Sequence, residues 1–271
     1  MLKTCKKVIK ELLPPVVVRL LHSPGGVRCQ GRYASWEEAR AASDGYDADD
    51  IFEKTKQAMR DLLAGRGVFE RDSVLFASPE YEWPLLSGLM WVAAVCGGRL
   101  NVLDFGGALG STYYQYRRFL QDVAQVRWNV VEQQHMVDAG REEFAADQLF
   151  FYPDLTSCLA ETSPQLLLLS GVVHYLPDPH AFLAHAARLG IPYVLVDRTP
   201  FLLRGDDLLT VQHVPPDIYR ASYPCWFFNR ERFFEHFSDS YEIVATFQAL
   251  DRANVPSSFE GAILALGAEA D

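Results

Sequence analysis

The feature that most constrains this chain is an apolar strand that ends in an acid followed by a loop containing three glycines. Residues 101–105 predict a short buried strand, residues 104–110 form the loop, and a helix is predicted from Thr112. A second apolar stretch ends at Glu132, 22 residues after Gly110. Strand, loop, helix, strand and terminal acid in this order predict the nucleotide-binding half of a parallel α/β sheet.

The residue types of this segment suit a nucleotide-type cofactor. Glycine permits positive φ and a close approach of the backbone to a ligand, which favours Gly106, Gly107 and Gly110 as binding residues. Amides at the start of the following helix can meet polar ligand atoms. A carboxylate at the position of Glu132 can accept both ribose hydroxyls, and Gln133 beside it is a further candidate.

Asp104 distinguishes two cofactors that share this layout. It stands two residues before Gly106, where the dinucleotide fingerprint has no acid. A carboxylate there repels a pyrophosphate but suits the cationic sulfonium of S-adenosylmethionine (SAM). The sequence therefore predicts SAM. The alternative is an NAD(P)-dependent sugar oxidoreductase, which Asp104 and the lack of a Tyr-x-x-x-Lys pair disfavour.

The rest of the chain predicts the fold. From Leu100 onward, apolar strands alternate with helices, and continuous apolar strands indicate a parallel sheet covered on both faces. The last two predicted strands, residues 241–247 and 261–266, have no crossover helix between them, so they predict an antiparallel pair. The expected fold is a Rossmann-like, mostly parallel α/β sheet with an antiparallel last strand.

Two further divisions of the chain are predicted. Residues 1–98 are read as a mostly helical N-terminal extension, with helices starting near Ser35 and spanning Trp83–Val95. Residues 99–271 form the cofactor-binding domain, interrupted by an irregular insertion at about 198–226.

These residues resemble the class I SAM-dependent methyltransferases, whose first motif reads hydrophobic-hydrophobic-Asp-x-Gly-x-Gly-x-Gly. This chain departs at Ala108, where the motif has its middle glycine, and places Gly107 one residue earlier. More narrowly, the chain resembles an uncharacterised bacterial family of methyltransferases met in surface-polysaccharide biosynthesis. The matching stretches are residues 31–39, 69–73, 103–114, 130–133, 170–179, 197–200, 210–212 and 222–224. The resemblance implies methyl transfer to an oxygen or nitrogen of a small or glycan-linked acceptor.

The loop after the fourth strand of the sheet is expected to line the methyl-transfer site, as it does in this class. Ser170 and Gly171 are candidates for the cofactor side and Tyr175 for the acceptor side. His174 is the candidate general base, because imidazole titrates near neutral pH. The alternative is a histidine that only packs in the loop, and methyl transfer needs no base if the reactants are held in line.

Other candidates lie in connecting segments. Arg198 can clamp an anionic group of the acceptor, or it forms a salt bridge with Asp197 or Asp206. His213 and Tyr223 in the insertion suit a polar acceptor. Arg71 can meet the SAM carboxylate or belong to a surface ion network. Asp154 can contact the adenine amino group or be an ordinary turn residue.

Charge and cysteine content narrow the remaining classes. The net charge of −10 argues against a nucleic-acid binder, although residues 1–32 carry seven basic side chains and one acidic one. Residues 1–21 therefore suit contact with an anionic membrane face, or they form a first helix packed on the main body. The odd, dispersed set of five cysteines indicates a cytoplasmic setting without disulfides or zinc. No metal site is predicted, the oligomeric state is open, and a non-catalytic SAM-binding protein is the second alternative.

Overall fold

The computed structural model describes residues 28–43, 48–71, 74–76, 81–214 and 221–267. The N-terminal part comprises strand β1 (Arg28–Tyr33), helices α1 (Trp36–Ala41) and α2 (Ala48–Leu63), strands β2 (Phe69–Arg71) and β3 (Val74–Phe76), and helix α3 (Trp83–Val95).

The larger part alternates strands and helices. In chain order its elements are β4 (Arg99–Phe105), α4 (Ser111–Leu120), β5 (Gln125–Val131), α5 (Gln134–Ala139) with a π-helical turn (Gly140–Phe144), β6 (Leu149–Tyr152), α6 (Leu155–Glu161), β7 (Leu166–Ser170), a 3₁₀ turn (Val173–Tyr175), α7 (Pro179–Arg188), β8 (Tyr193–Leu202), β9 (Leu208–His213), β10 (Ser222–Phe227), α8 (Arg230–Glu235), β11 (Tyr241–Gln248) and β12 (Ser257–Leu266).

Seven of these strands form the main sheet, in the order β11-β12-β8-β7-β4-β5-β6. Strands β4 to β8 run parallel, while β12 is antiparallel to both β8 and β11. The predicted mostly parallel Rossmann-like sheet with an antiparallel last strand is confirmed. The last strand inserts between β8 and β11, so β11 forms the edge. The chain leaves β4 toward β5 and β6 and then returns to its other side at β7. The carboxyl ends of β4 and β7 are therefore the switch point at which α/β sheets form their ligand crevice.

The leucine run of β7 shows why the central strands are continuously apolar. Leu166 and Leu168 pack into the core on one side of the sheet, and Leu167 and Leu169 into the core on the other. All four side chains are fully buried. Because alternate residues of a strand face opposite sides, a strand covered by helices on both faces needs apolar residues at every position.

The N-terminal part contains the expected helices together with strands that were not predicted. Ser35 is the N-cap of α1 and accepts a hydrogen bond from the Glu38 amide, and α3 has the predicted bounds. Strand β1 pairs with β9, and β2 pairs with β3 in a separate hairpin. No helix in the described ranges is long and apolar enough to cross a membrane.

The prediction that the insertion at about 198–226 is irregular is wrong. Strand β8 continues to Leu202, and β9 and β10 follow as an antiparallel pair that joins β1 in a three-stranded sheet of order β1-β9-β10. Leu209 and Val211 of β9 pack against Ala39 of α1. Strand β1 is remote in the sequence from its partner β9, so no local hairpin signal predicts their pairing.

The burial of Phe201 near the carboxyl end of β8 leads to a stability prediction. Phe201 is 1% exposed and its ring lies 5.2 Å from that of Phe233, whereas Leu203, two residues later, is 66% exposed. We expect Phe201→Ala to lower the free energy of unfolding by about 3–5 kcal/mol, because it leaves a cavity in the core. Leu203→Ala should change it by less than about 0.5 kcal/mol. Urea denaturation measures both, and similar small losses would contradict the placement of Phe201.

Candidate active site

The loop after β4 is held in an unusual backbone conformation. Gly106, Ala108 and Gly110 have φ of 71°, 49° and 86°, all in the left-handed region. A Cβ at Gly106 would lie 2.4 Å from Cγ2 of Val172, and one at Gly107 would lie 2.5 Å from the Asp104 carboxyl carbon. The glycines are therefore required for the loop to pack against the protein itself, in addition to any contact with a ligand.

Asp104 lies beneath this loop. Its side chain is 2% exposed and accepts a hydrogen bond from Nε1 of Trp128 at 2.9 Å. Burial raises the pKa of Asp104 to about 7; the Trp128 hydrogen bond opposes this rise and the nearby charge of Glu132 adds to it.

Glu132 joins the carboxyl end of β5 to the loop. Its carboxylate accepts hydrogen bonds from the backbone amides of Gln133, at 2.8 Å, and Ala108. Burial raises the pKa of Glu132, and these two hydrogen bonds oppose the rise. The Gly106 amide donates to the carbonyl of Val131 at 2.9 Å, so the structure brings the predicted loop and the predicted acid together.

A second polar junction lies where the carboxyl end of β7 meets the middle of β8. The Ser170 hydroxyl donates to Oδ2 of Asp197 at 2.9 Å, and the Gly171 amide donates to the Asp197 carbonyl at 3.1 Å. Asp197 is fully buried, and its Oδ1 atom has no hydrogen-bond partner. Burial raises the pKa of Asp197 to about 6, against the lowering effect of Arg198. Sequence reasoning named Asp197 only as an ion-pair partner, although an acid ending a buried strand was a usable signal.

The salt-bridge partner of Arg198 is Asp251, and the predicted partners Asp197 and Asp206 were wrong. The Nε and Nη2 atoms of Arg198 bind the two carboxylate oxygens of Asp251 at 3.1 and 3.0 Å. Arg198 has a φ of 51°, the left-handed region, which bends β8 at this point. A Cβ at Gly171 would lie 3.4 Å from Nη1 of Arg198, so the guanidinium borders the loop after β7.

The three-stranded sheet contributes a polar and aromatic wall next to that loop. The Tyr175 hydroxyl donates to Oε1 of Gln212 at 3.1 Å, and Nε2 of Gln212 donates to the Tyr223 hydroxyl at 3.0 Å. The buried His174 ring lies 4.0 Å from the Tyr175 ring, centroid to centroid. His213 follows Gln212 at the end of β9 and pairs with Ser222. The structure thus groups His174, Tyr175 and Tyr223, with Gln212 as a linking residue.

The two remaining candidate site residues are Asp154 and Arg71. The carboxylate of Asp154 caps α6 by accepting from the Ser157 amide at 2.7 Å. Arg71 ends β2, and its side chain is outside the described residues. Its neighbour Glu70 is 2% exposed and hydrogen-bonded to the hydroxyl of Ser111, the first residue of α4. The hairpin therefore folds onto the helix that follows the glycine loop. Within the described ranges, no group of three His, Cys, Asp or Glu side chains suits a metal ion.

Comparisons with known proteins give only distant structural likenesses. No family model and no curated protein matches the chain. The N-terminal domain of EvdMO1, in the presence of SAH and D-fucose, is 16% identical, covers 82% of this chain and 97% of its own, and has a TM-score of 0.46. Magnesium protoporphyrin IX methyltransferase from Synechocystis PCC 6803, with bound SAH, is 15% identical over 78% and 99%, with a TM-score of 0.47. Burkholderia thailandensis 1,6-didemethyltoxoflavin-N1-methyltransferase is 14% identical over 88% and 93%, with a TM-score of 0.43.

The left-handed conformation of Ala108 generates a stability prediction. Glycine adopts φ of 49° without a Cβ penalty, so Ala108→Gly should leave the free energy of unfolding unchanged or raise it by up to about 1 kcal/mol. Ala160→Gly, at an exposed position of α6, is the matched control and should lower it by about 1 kcal/mol. Equal losses in the two variants, measured by urea denaturation, would contradict the backbone described for Ala108.

The buried Asp104 carboxyl generates a pH prediction. Because its folded pKa is raised from 3.8 to about 7, its contribution to stability is present below pH 4 and is lost as the pH rises through 7. The difference spans roughly 4 kcal/mol at most. Asp104→Asn should therefore lose less stability than the wild type between pH 4 and pH 8. Asp122→Asn, at an exposed position, controls for the loss of one carboxyl. The same pH dependence in all three proteins would overturn the prediction.

Proposed function

We propose that this chain is a SAM-dependent methyltransferase that acts on an oxygen or nitrogen of a small or glycan-linked acceptor. The observation that carries the proposal is the junction of the glycine loop with Glu132 at the crevice beside β4. There the Ala108 amide and the Glu132 carboxylate are in direct contact. A nucleoside bound at this edge meets a partly exposed carboxylate and the turned backbone of the loop together.

The residues of the crevice fit SAM. Glu132 would accept the ribose hydroxyls, with Gln133 beside it, and the backbone of Gly106, Gly107 and Gly110 would border the methionine portion. Asp154, Ser170 and Gly171 would complete the cofactor side. SAM supplies a methyl group already activated by a sulfonium. Asp104, buried under Gly107, is partly ionised at neutral pH, and its charge there favours that cation over the pyrophosphate of NAD.

The acceptor would lie between the loop after β7 and the three-stranded sheet. Tyr175, Tyr223 and His213 offer aromatic faces and hydrogen-bonding groups to a polar acceptor, and Arg198 borders the same space. Arg71 would approach from the β2–β3 hairpin. Holding the acceptor in line with the methyl group supplies much of the acceleration, and His174 would serve as general base where the acceptor must lose a proton.

The proposed setting is the cytoplasm, in the biosynthesis of a surface polysaccharide. Residues 1–21, which lie outside the described residues, would bring the enzyme to a membrane face where lipid-linked sugars are assembled. Their basic charge supports this part of the proposal.

Calorimetric titration tests the cofactor. We expect the wild type to bind SAM and not NADH, and Glu132→Gln to weaken SAM binding about 10- to 100-fold, because charge-assisted hydrogen bonds are worth about 1.5–3 kcal/mol. Glu142→Gln, at an exposed position of the π-helical turn, removes one charge elsewhere and should leave binding unchanged. Binding of NADH by the wild type, or undiminished SAM binding by Glu132→Gln, would reject the assigned site.

Transfer of labelled methyl from SAM into the low-molecular-mass fraction of a cell extract tests the activity. Identification of the labelled product then names the acceptor. Binding of SAM without any transfer to small molecules, glycans or lipids would favour a non-catalytic SAM-binding protein.

A further inference from the structure

We propose that Ser170 and Asp197 form a proton relay: the Ser170 hydroxyl touches the acceptor, and Asp197 receives the proton through it. The inference rests on the proposed methyl transfer and assigns its proton acceptor to this pair in place of His174. Ser170 is the catalytic residue of the relay, and Asp197 is a positioning residue that acts through Ser170.

The pair is built by the sheet. Ser170 ends β7 and lies in register with Asp197 on the neighbouring parallel strand β8. The hydroxyl donates to Oδ2 at 2.9 Å, which directs the lone pairs of the serine oxygen away from the carboxylate. Ser170 is half-buried at the carboxyl end of its strand, on the side of the sheet where the crevice lies.

Asp197 carries an oxygen that the protein leaves unsatisfied. Its side chain is 0% exposed, and Oδ1 has no hydrogen-bond partner of normal geometry. The Arg198 backbone amide lies close enough to the carboxyl to lower its pKa. More than nine in ten buried polar groups in native proteins have a partner, so such an oxygen calls for an explanation. A proton taken up on Oδ2 during each reaction cycle removes the negative charge that the two oxygens share, and the neutral acid is the form that burial favours.

The charged groups around Asp197 affect the pKa of its carboxyl. Arg198, next in the strand, is turned by its positive φ and held by Asp251 from the β11–β12 connection. Glu260 of β12 pairs with Arg230, and His174 lies in the 3₁₀ turn that contacts β8. Burial raises the pKa of Asp197 to about 6, so the carboxylate is mostly ionised at neutral pH and still basic enough to be useful.

Methyl transfer and proton transfer are coupled in the relay. A lone pair of the acceptor oxygen or nitrogen forms the bond to the methyl carbon as the carbon–sulfur bond breaks, which converts the sulfonium into a neutral thioether. The acceptor proton passes to Oγ of Ser170, and the original Ser170 proton passes to Oδ2 of Asp197. After the product leaves, the proton returns through Ser170 to water. Nothing is oxidised or reduced.

The first test needs no SAM and no acceptor. In the ligand-free protein with ¹³C-labelled aspartate, the Asp197 carboxyl should titrate near pH 6, as a signal that is absent from Asp197→Asn. Ser170→Ala should raise its pKa, because a hydrogen bond to the ionised form is lost. Thr199→Val is the matched control: it removes a donor to the Asp197 carbonyl and should leave the carboxyl titration in place. An unchanged pKa in Ser170→Ala would overturn the relay.

The second test follows labelled methyl from SAM into the low-molecular-mass fraction of a cell extract at saturating SAM. At saturating SAM, Ser170→Ala and Asp197→Asn should each slow transfer about 100-fold or more. Asp197→Asn should also keep the SAM dissociation constant within threefold of the wild type. The wild-type rate should fall as the pH drops through 6, and this acid limb should be absent from the residual rate of Asp197→Asn. Thr199→Val should keep both the rate and the acid limb.

Several outcomes would overturn the relay. If His174→Ala alone abolishes transfer and both relay variants keep wild-type rates, His174 is the base. If Asp197→Asn weakens SAM binding tenfold without slowing transfer at saturation, the carboxylate serves the cofactor charge instead. If the wild type itself neither binds SAM nor transfers methyl, the proposed function fails and the relay with it, which distinguishes this failure from that of the relay alone.

Discussion

The burial of carboxyl groups at the ends of the central strands is the constraint around which the proposed site is arranged. Asp104 lies near the end of β4 and Asp197 in β8 beside the end of β7, and both are almost completely removed from water. An ionised carboxylate in such a place costs several kcal/mol unless hydrogen bonds compensate. Trp128 supplies one bond to Asp104, and Ser170 supplies one to Asp197. Burial outweighs these two hydrogen bonds and raises both pKa values, so these acids can exchange protons near neutral pH.

The backbone near these two acids is strained at two residues. Among the described residues, Ala108 and Arg198 are the non-glycine residues with positive φ, and both lie at the carboxyl edge of the sheet. Conformations of this kind cost about 1–3 kcal/mol each and persist where the surrounding structure holds them. Ala108 donates its amide to Glu132, and Arg198 forms a forked ion pair with Asp251. The strain and the hydrogen bonds that hold it thus fall at the same edge, which is where the nucleotide-type loop was predicted.

The N-terminal part of the chain packs beside the carboxyl edge of the main sheet. Strand β1 completes the three-stranded sheet whose strands β9 and β10 carry Gln212 and Tyr223. The β2–β3 hairpin brings the buried Glu70 to the first turn of α4. Segments more than 100 residues apart in sequence therefore form the wall beside Tyr175. The domain boundary at residue 98 remains a prediction. Strand β1, which precedes that boundary, belongs to the same sheet as β9 and β10, which follow it.

The sequence by itself determined the main sheet and the position of its loop. Continuous apolar strands such as Leu166–Leu169 can be buried only between two helical layers, and the order Asp104, glycines and Glu132 can be read along the chain. Tertiary structure alone decided the rest, because those contacts join residues that no local pattern connects. It buried Asp104 beneath Gly107 instead of exposing it to the crevice, paired Arg198 with Asp251, and built a sheet from β1, β9 and β10 where an irregular insertion was expected. It also placed Ser170 beside Asp197, since the register of two parallel strands depends on packing over the whole sheet.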